Sequence, residues 1–133
     1  MANDILQTIV AHKKLEVEAA RKRLGEKDLR NKALRLKAKR GFMQALANNG
    51  ADQIGIIAEV KRASPSKGTI NANLNPADYA AACEKGGAVA LSVLTDQSFF
   101  QGSIEDLTSA RQSIRLPVLR KDFLISAYQI YES

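Results

Sequence analysis

Cysteine and histidine are almost missing: Cys83 and His12 are the single representatives of their types in 133 residues. One thiol excludes an internal disulfide framework and fits a reducing compartment. Lone residues of each kind leave no paired Cys/His spacing for a metal, and no Ser-His-Asp arrangement is seen. Cys83 sits in an Ala-rich helical stretch, where a small buried apolar role is expected. His12 lies in a basic helical segment and is expected to face solvent. Tryptophan is absent and aromatics make up only 5% of the chain, so stacking platforms for nucleic-acid bases are scarce. No apolar run approaches the ~20 residues of a membrane-spanning helix. The start, Met1-Ala2-Asn3-Asp4, lacks the basic head and apolar stretch of a secretory signal. A cytoplasmic protein without a membrane partner is therefore expected. Neither a Walker motif nor a GxGxxG pattern occurs.

What is present is ordinary in amount and uneven in placement. An apolar fraction of 45% with 26% charge belongs to a globular chain of single-domain length. The net charge of +6 is concentrated early, where Lys13 to Arg40 holds twelve Lys/Arg against Glu16, Glu18, Glu26 and Asp28. Such a block can mark nucleic-acid binding. Here the cations alternate with Leu and Ala at helical spacing, which favours a solvated helix surface and no specific nucleic-acid partner.

Residues 3 to about 48 read as helical. Ile5, Ile9, Ala11, Leu15 and Ala19 fall roughly on one stripe, Asn3 or Asp4 can cap its start, and Gly25 ends the first helix. Segments near Asp28–Leu36 and Gly41–Ala47 follow, and Asn48-Asn49-Gly50 breaks the pattern. Three short runs then read as buried strands: Ile54–Lys61, Val89–Thr95 and Leu116–Phe123. Between the first two, Asn75-Pro76 opens a helix that Gly86-Gly87 closes. Between the second and third, Ser103 with Asp106 forms a capping-box pattern for a helix to about Ile114. A further helix starts near Ser126 or Ala127. The order predicts a 1–50 helical extension and a 51–133 segment of three βα units in a parallel sheet. Pattern alone leaves open whether that sheet is doubly wound or part of a (β/α)8 barrel, which needs ~250 residues.

Residues two apart on a strand share a face, so Glu59 and Lys61 project together while Ile56, Ala58 and Val60 take the helix-packed side. Lys121 and Phe123 likewise pair at the end of the third run. Parallel α/β folds carry their sites at these C-terminal strand ends. Two lysines and a glutamate there make a plausible acid–base and anion-binding group, with a structural Glu59–lysine ion pair as the rival. The long loop Arg62-Ala63-Ser64-Pro65-Ser66-Lys67-Gly68, with two cations and hydroxyls, suits phosphate or carboxylate recognition, though Ser-Pro-Ser also makes an ordinary turn.

The block IIAEVKRASPSKG (Ile56 to Gly68) closely resembles the signature of indole-3-glycerol-phosphate synthases. So do LSVLTDQSFFQGS (Leu91 to Ser103), LPVLRKDFLISAYQIYE (Leu116 to Glu132) and the leading ILQTIVAHKKLEV, and together these blocks span nearly the whole chain. The resemblance implies an α/β fold that is a partial TIM (β/α)8 barrel: an N-terminal helical extension followed by the first three βα units. It implies decarboxylating ring closure of 1-(2-carboxyphenylamino)-1-deoxyribulose 5-phosphate to indole-3-glycerol phosphate, a phosphorylated small-molecule partner, and no metal or organic cofactor. By motif, Lys121 resembles the general acid. Lys61 resembles the lysine that holds the anionic substrate, and Glu59 the glutamate that orients the lysines. Ser64, Pro65 and Ser66 resemble substrate-contacting loop residues, and Phe100 and Phe123 apolar walls for the aromatic ring, with core packing an alternative for Phe123. A lysine acts as an acid near neutral pH only if burial or cationic neighbours favour its neutral form, a condition that two adjacent lysines would supply.

The family's later strands supply a second glutamate, an asparagine, a serine and phosphate-binding glycines, which are not among these residues. The chain alone is thus expected to be inactive or nearly so. An uncovered sheet face with Ile57 and Leu119, and two open edges, make self-association the expected alternative behaviour. A basic nucleic-acid-binding protein is a weaker alternative, because it does not require the Glu59/Lys61/Lys121 placement, and a related phosphate-sugar barrel isomerase fits the fold but not the EVKRASPSKG block.

Overall fold

A computed structural model describes residues 4–36, 39–48, 50 and 53–133. They group into two compact units, Met1–Lys39 with Phe123–Ser133, and Arg40–Asp122.

The first unit is helical. Helix α1 (Ile5–Arg23) is capped by Asp4, whose side chain accepts from Leu6 N; the other cap candidate, Asn3, lies outside the described residues. Gly25 separates α1 from α2 (Glu26–Leu34). The buried stripe of α1 is Ile9, Lys13 and Val17, while Leu15 is 65% exposed. The stripe thus runs through i, i+4 and i+8 and includes a lysine, which no apolar tally can find. Lys13 is tolerated because its Nζ lies 2.6 Å from Glu16 Oε2. His12 bonds the other oxygen of Glu16 at 3.1 Å and is 44% exposed. Helix α7 (Ala127–Glu132), capped by Ser126, belongs to this unit. Its buried Tyr128 donates to Ala20 O at 3.1 Å, and Arg21 lies over the ring while bonding Glu26 and Ser126. Within this unit, Lys13 and Arg21 of the basic block are therefore engaged by other residues of the chain.

The second unit is an α/β layer. After α3 (Phe42–Ala47), strands β1 (Ile57–Val60), β4 (Ala90–Leu94) and β5 (Val118–Lys121) form a parallel sheet in the order β1-β4-β5. Helices α4 (Pro76–Lys85) and α6 (Ile104–Ser113) supply the crossovers. The α4 start is held by Asn75 Oδ1, which accepts from Ala77 N and Asp78 N, with Pro76 in the first turn. The sheet's helix-packed face carries Ala58, Val60, Leu91, Val93 and Val118 in one cluster with Ala80, Ala110 and Ile114. Alanines with no exposed surface at Ala80 and Ala110 let α4 and α6 pack closely.

All three strands are shorter than their apolar runs. Ile54 is 93% exposed and Ile56 60%, so β1 begins only at Ile57, although Ile56 O still accepts from Val89 N. Ile56 thus stands outside the helix-packed face that Ala58 and Val60 share. Two short elements lay hidden in the loops: the hairpin β2 (Ala63–Ser64) with β3 (Gly68–Thr69), and helix α5 (Gln97–Phe100). The hairpin turn needs Gly68, whose φ is +63°.

Candidate active site

The register places the chemistry on the sheet face opposite the core. Glu59, Ser92 and Leu119 are cross-strand partners there. One layer toward the C-terminal ends, Leu94 pairs with Lys121, and Lys61 follows the last residue of β1. Lys61 and Lys121 therefore flank β4. Two interstrand spacings set their backbones roughly 10 Å apart, with Leu94 between them. They are not immediate neighbours, which departs from the adjacency expected of them. Lys61 instead has an anionic companion, since its Nζ is 2.9 Å from Glu59 Oε1. Both side chains are about one-third exposed, at 36% and 34%. Glu59 also acts outward: burial first, then Cys83 and then the Glu59 charge, raise the Tyr79 phenol above its ordinary value of 10.0.

The loop residues follow directly. Ser64 lies in β2, Pro65 and Ser66 in the exposed hairpin turn, and Lys67 N bonds Ser64 O and Oγ. Phe100 ends α5 and is half-buried, and α5 packs on β2. These five positions and Glu59, Lys61 and Lys121 share one unit; Phe123 falls in the other, beyond the end of β5.

Several further side chains build this rim, some of them read differently from the sequence and others, such as Arg120 and Asp122, not singled out. Arg62, read as an anion-binding cation, is already occupied. It forms a two-pronged pair with Asp106 and donates to Leu74 O at 3.0 Å and to Gln101 O at 3.4 Å. The guanidinium thus ties the first loop to the starts of α4 and α6. Asp106 accordingly turns to Arg62, while only the Ser103 half of the capping box is made, with Oγ accepting from Asp106 N. On either side of Lys121 in the chain, the side chains of Arg120 and Asp122 are only 8% and 2% exposed and pair at 3.1 Å. Thr95 Oγ1 donates to Asp122 and accepts from Arg120, and Thr95 N bonds Lys121 O. Lys121 is therefore carried on a backbone fixed on both sides. Asp96, with no exposed surface, caps α5 through Phe99 N. Gly102 passes so close to Leu94 O that any Cβ would clash, which fixes the second loop against the end of β4. Charge within LTDQ and LRKDF was the only signal for this scaffold, and spacing alone cannot tell a buried pair from a surface one.

Among the described residues no group of three His, Cys, Asp or Glu is placed to hold a metal, and no helix is long and apolar enough to cross a membrane.

Comparison with known proteins agrees with the blocks read from the sequence. A family model described as indole-3-glycerol phosphate synthase matches residues 6–133. Curated relatives of that name include one from Desulfosudis oleivorans, 53% identical over 98% of this chain and 50% of its own length. Another, from Syntrophobacter fumaroxidans, is 47% identical over 98% of this chain and 49% of its own. A third, from Delftia acidovorans, is 50% identical over 98% and 51%. The chain spans about half the length of the curated relatives it matches.

Proposed function

The chain belongs to the indole-3-glycerol phosphate synthase family, and from that premise we propose that its residues form the first part of the site that closes the indole ring. The three parallel strands are read as the first three βα units of a (β/α)8 barrel in a cytoplasmic protein. Residues 1–50 are read as the helical extension before it and residues 51–133 as the barrel portion.

The observation that carries the functional reading is the register that brings Glu59, Lys61 and Lys121 to one sheet face at its C-terminal end. On this reading the substrate is 1-(2-carboxyphenylamino)-1-deoxyribulose 5-phosphate. Lys61 holds an anionic group of it, the carboxylate by preference, because a point charge on a flexible stem can leave Glu59 for a stronger anion. Lys121 donates a proton to the sugar carbonyl oxygen, making that carbon electrophilic toward the anilino ring. Loss of carbon dioxide and water then completes the pyrrole. Glu59 orients the two lysines. Ser64, Pro65 and Ser66 line the entrance, and Phe100 supplies apolar surface for the ring.

With Glu59 and Lys61 a third exposed, charge interactions are screened by water and lack the preorganised, dry setting that favours a transition state. The 133 residues alone are therefore expected to bind the substrate weakly and turn it over at trace rates. Titration with the substrate, whose aromatic amine is fluorescent, tests the site directly. Anisotropy should rise with wild-type chain and rise far less with Lys61→Ala; equal binding by both would remove Lys61 from the site.

A further inference from the structure

Ser92 stands in the middle of β4, 5% exposed, and its Oγ has no hydrogen-bond partner among the described residues. A hydroxyl in that state has given up water without replacement and costs stability. Sheet packing offers no reason for it, since the rest of β4 is Ala90, Leu91, Val93 and Leu94. Its neighbourhood does offer one. The register sets Ser92 directly beside Glu59 on β1, on the face opposite the helix-packed core. Neighbouring strands stand about 4.8 Å apart, so a change of Glu59 rotamer brings its carboxylate to Ser92 Oγ. In the structure that carboxylate is turned to Lys61 instead, at 2.9 Å.

Lys61 cannot keep Glu59 and also grip an anionic substrate with full strength. Once released, the Glu59 carboxylate stands beside a second anion, and Ser92 Oγ is the unsatisfied donor set directly across from it on β4. We propose that Ser92 is a positioning residue: its hydroxyl receives the Glu59 carboxylate when Lys61 turns from Glu59 to the anionic substrate. Glu59 then has two docked positions, on Lys61 in the ligand-free chain and on Ser92 in the complex, and the unsatisfied hydroxyl belongs to the first alone. The inference rests on the ring-closing site proposed above.

The test is a binding cycle on the 133-residue chain with 1-(2-carboxyphenylamino)-1-deoxyribulose 5-phosphate, read by fluorescence anisotropy beside urea denaturation. Ser92→Ala should leave the denaturation midpoint unchanged or higher, because no bond is lost in the free chain. It should weaken substrate binding about tenfold, the worth of a hydrogen bond to a charged group. In a Glu59→Ala background the same change should cost less than twofold. A merely structural serine would move the midpoint and act regardless of Glu59. Wild-type affinity in Ser92→Ala, or equal losses in both backgrounds, would overturn the role of Ser92. If Lys61→Ala binds as tightly as wild type, or wild type does not bind, the site assignment itself fails and the Ser92 role with it. Sensitivity to Lys61 with indifference to Ser92 removes only the latter.

Discussion

Arg62 shows how one side chain can tie a rim together. Its guanidinium spends its donors on Asp106, Leu74 O and Gln101 O, and the pair's side chains are only 18% and 14% exposed. Asp106→Asn leaves a partly buried cation without its counter-charge. That should cost about 2 kcal/mol, between the surface and buried limits. Hydrogen exchange should quicken across 63–74 more than in β4; uniform change across the unit would argue against a local tie. Tyr79 gives a pH prediction. Its phenol is raised above 10.0, so the folded chain binds that proton more tightly than the unfolded one. The resulting stability is present below pH 10 and is lost as pH rises through the folded-state value. Urea midpoints measured across that alkaline window should fall, and Tyr79→Phe should flatten the fall. Residue identities such as Glu59, Lys61 and Lys121 were legible in the sequence because period-two alternation fixes their face. The placement of Ser92 beside Glu59 was not, because register between strands far apart in sequence decides it.

At the level of elements, the starts and stops were readable where capping chemistry is local. Asn75-Pro76 opens α4 and Ser126 caps α7 as their side chains dictate. Strand lengths were not readable, since a strand lasts only as long as its partner: Ile54 and Ile56 read as strand but stand largely exposed before β1. The hairpin β2–β3 escaped notice because two-residue strands leave no periodicity. Lys13 escaped because burial of a lysine depends on Glu16 and the fold around it. Packing between α4 and α6 depends on Ala80 and Ala110, both without exposed surface. Ala80→Leu should therefore overpack the crossing and lower stability by about 1–3 kcal/mol, seen as an earlier urea midpoint. An unchanged midpoint would mean that the crossing has slack.

For the molecule as a whole, the order β1-β4-β5 leaves β1 and β5 as the outer strands of the sheet. Ile57 and Leu119, on the face away from the helices, are 44% and 43% exposed. Apolar surface beside open ladders favours pairing with another chain. Sedimentation velocity should show concentration-dependent association, reduced by Leu119→Lys; a clean monomer at all concentrations would count against it. The proposed assignment of Lys121 as the proton donor is tested most directly by turnover. Formation of indole-3-glycerol phosphate should be measured for this chain mixed with the separately expressed C-terminal half of a family member. We expect turnover in the mixture, none above trace from the chain alone, and loss of the mixture's activity with Lys121→Ala. Undiminished turnover by the Lys121→Ala mixture would contradict the assignment.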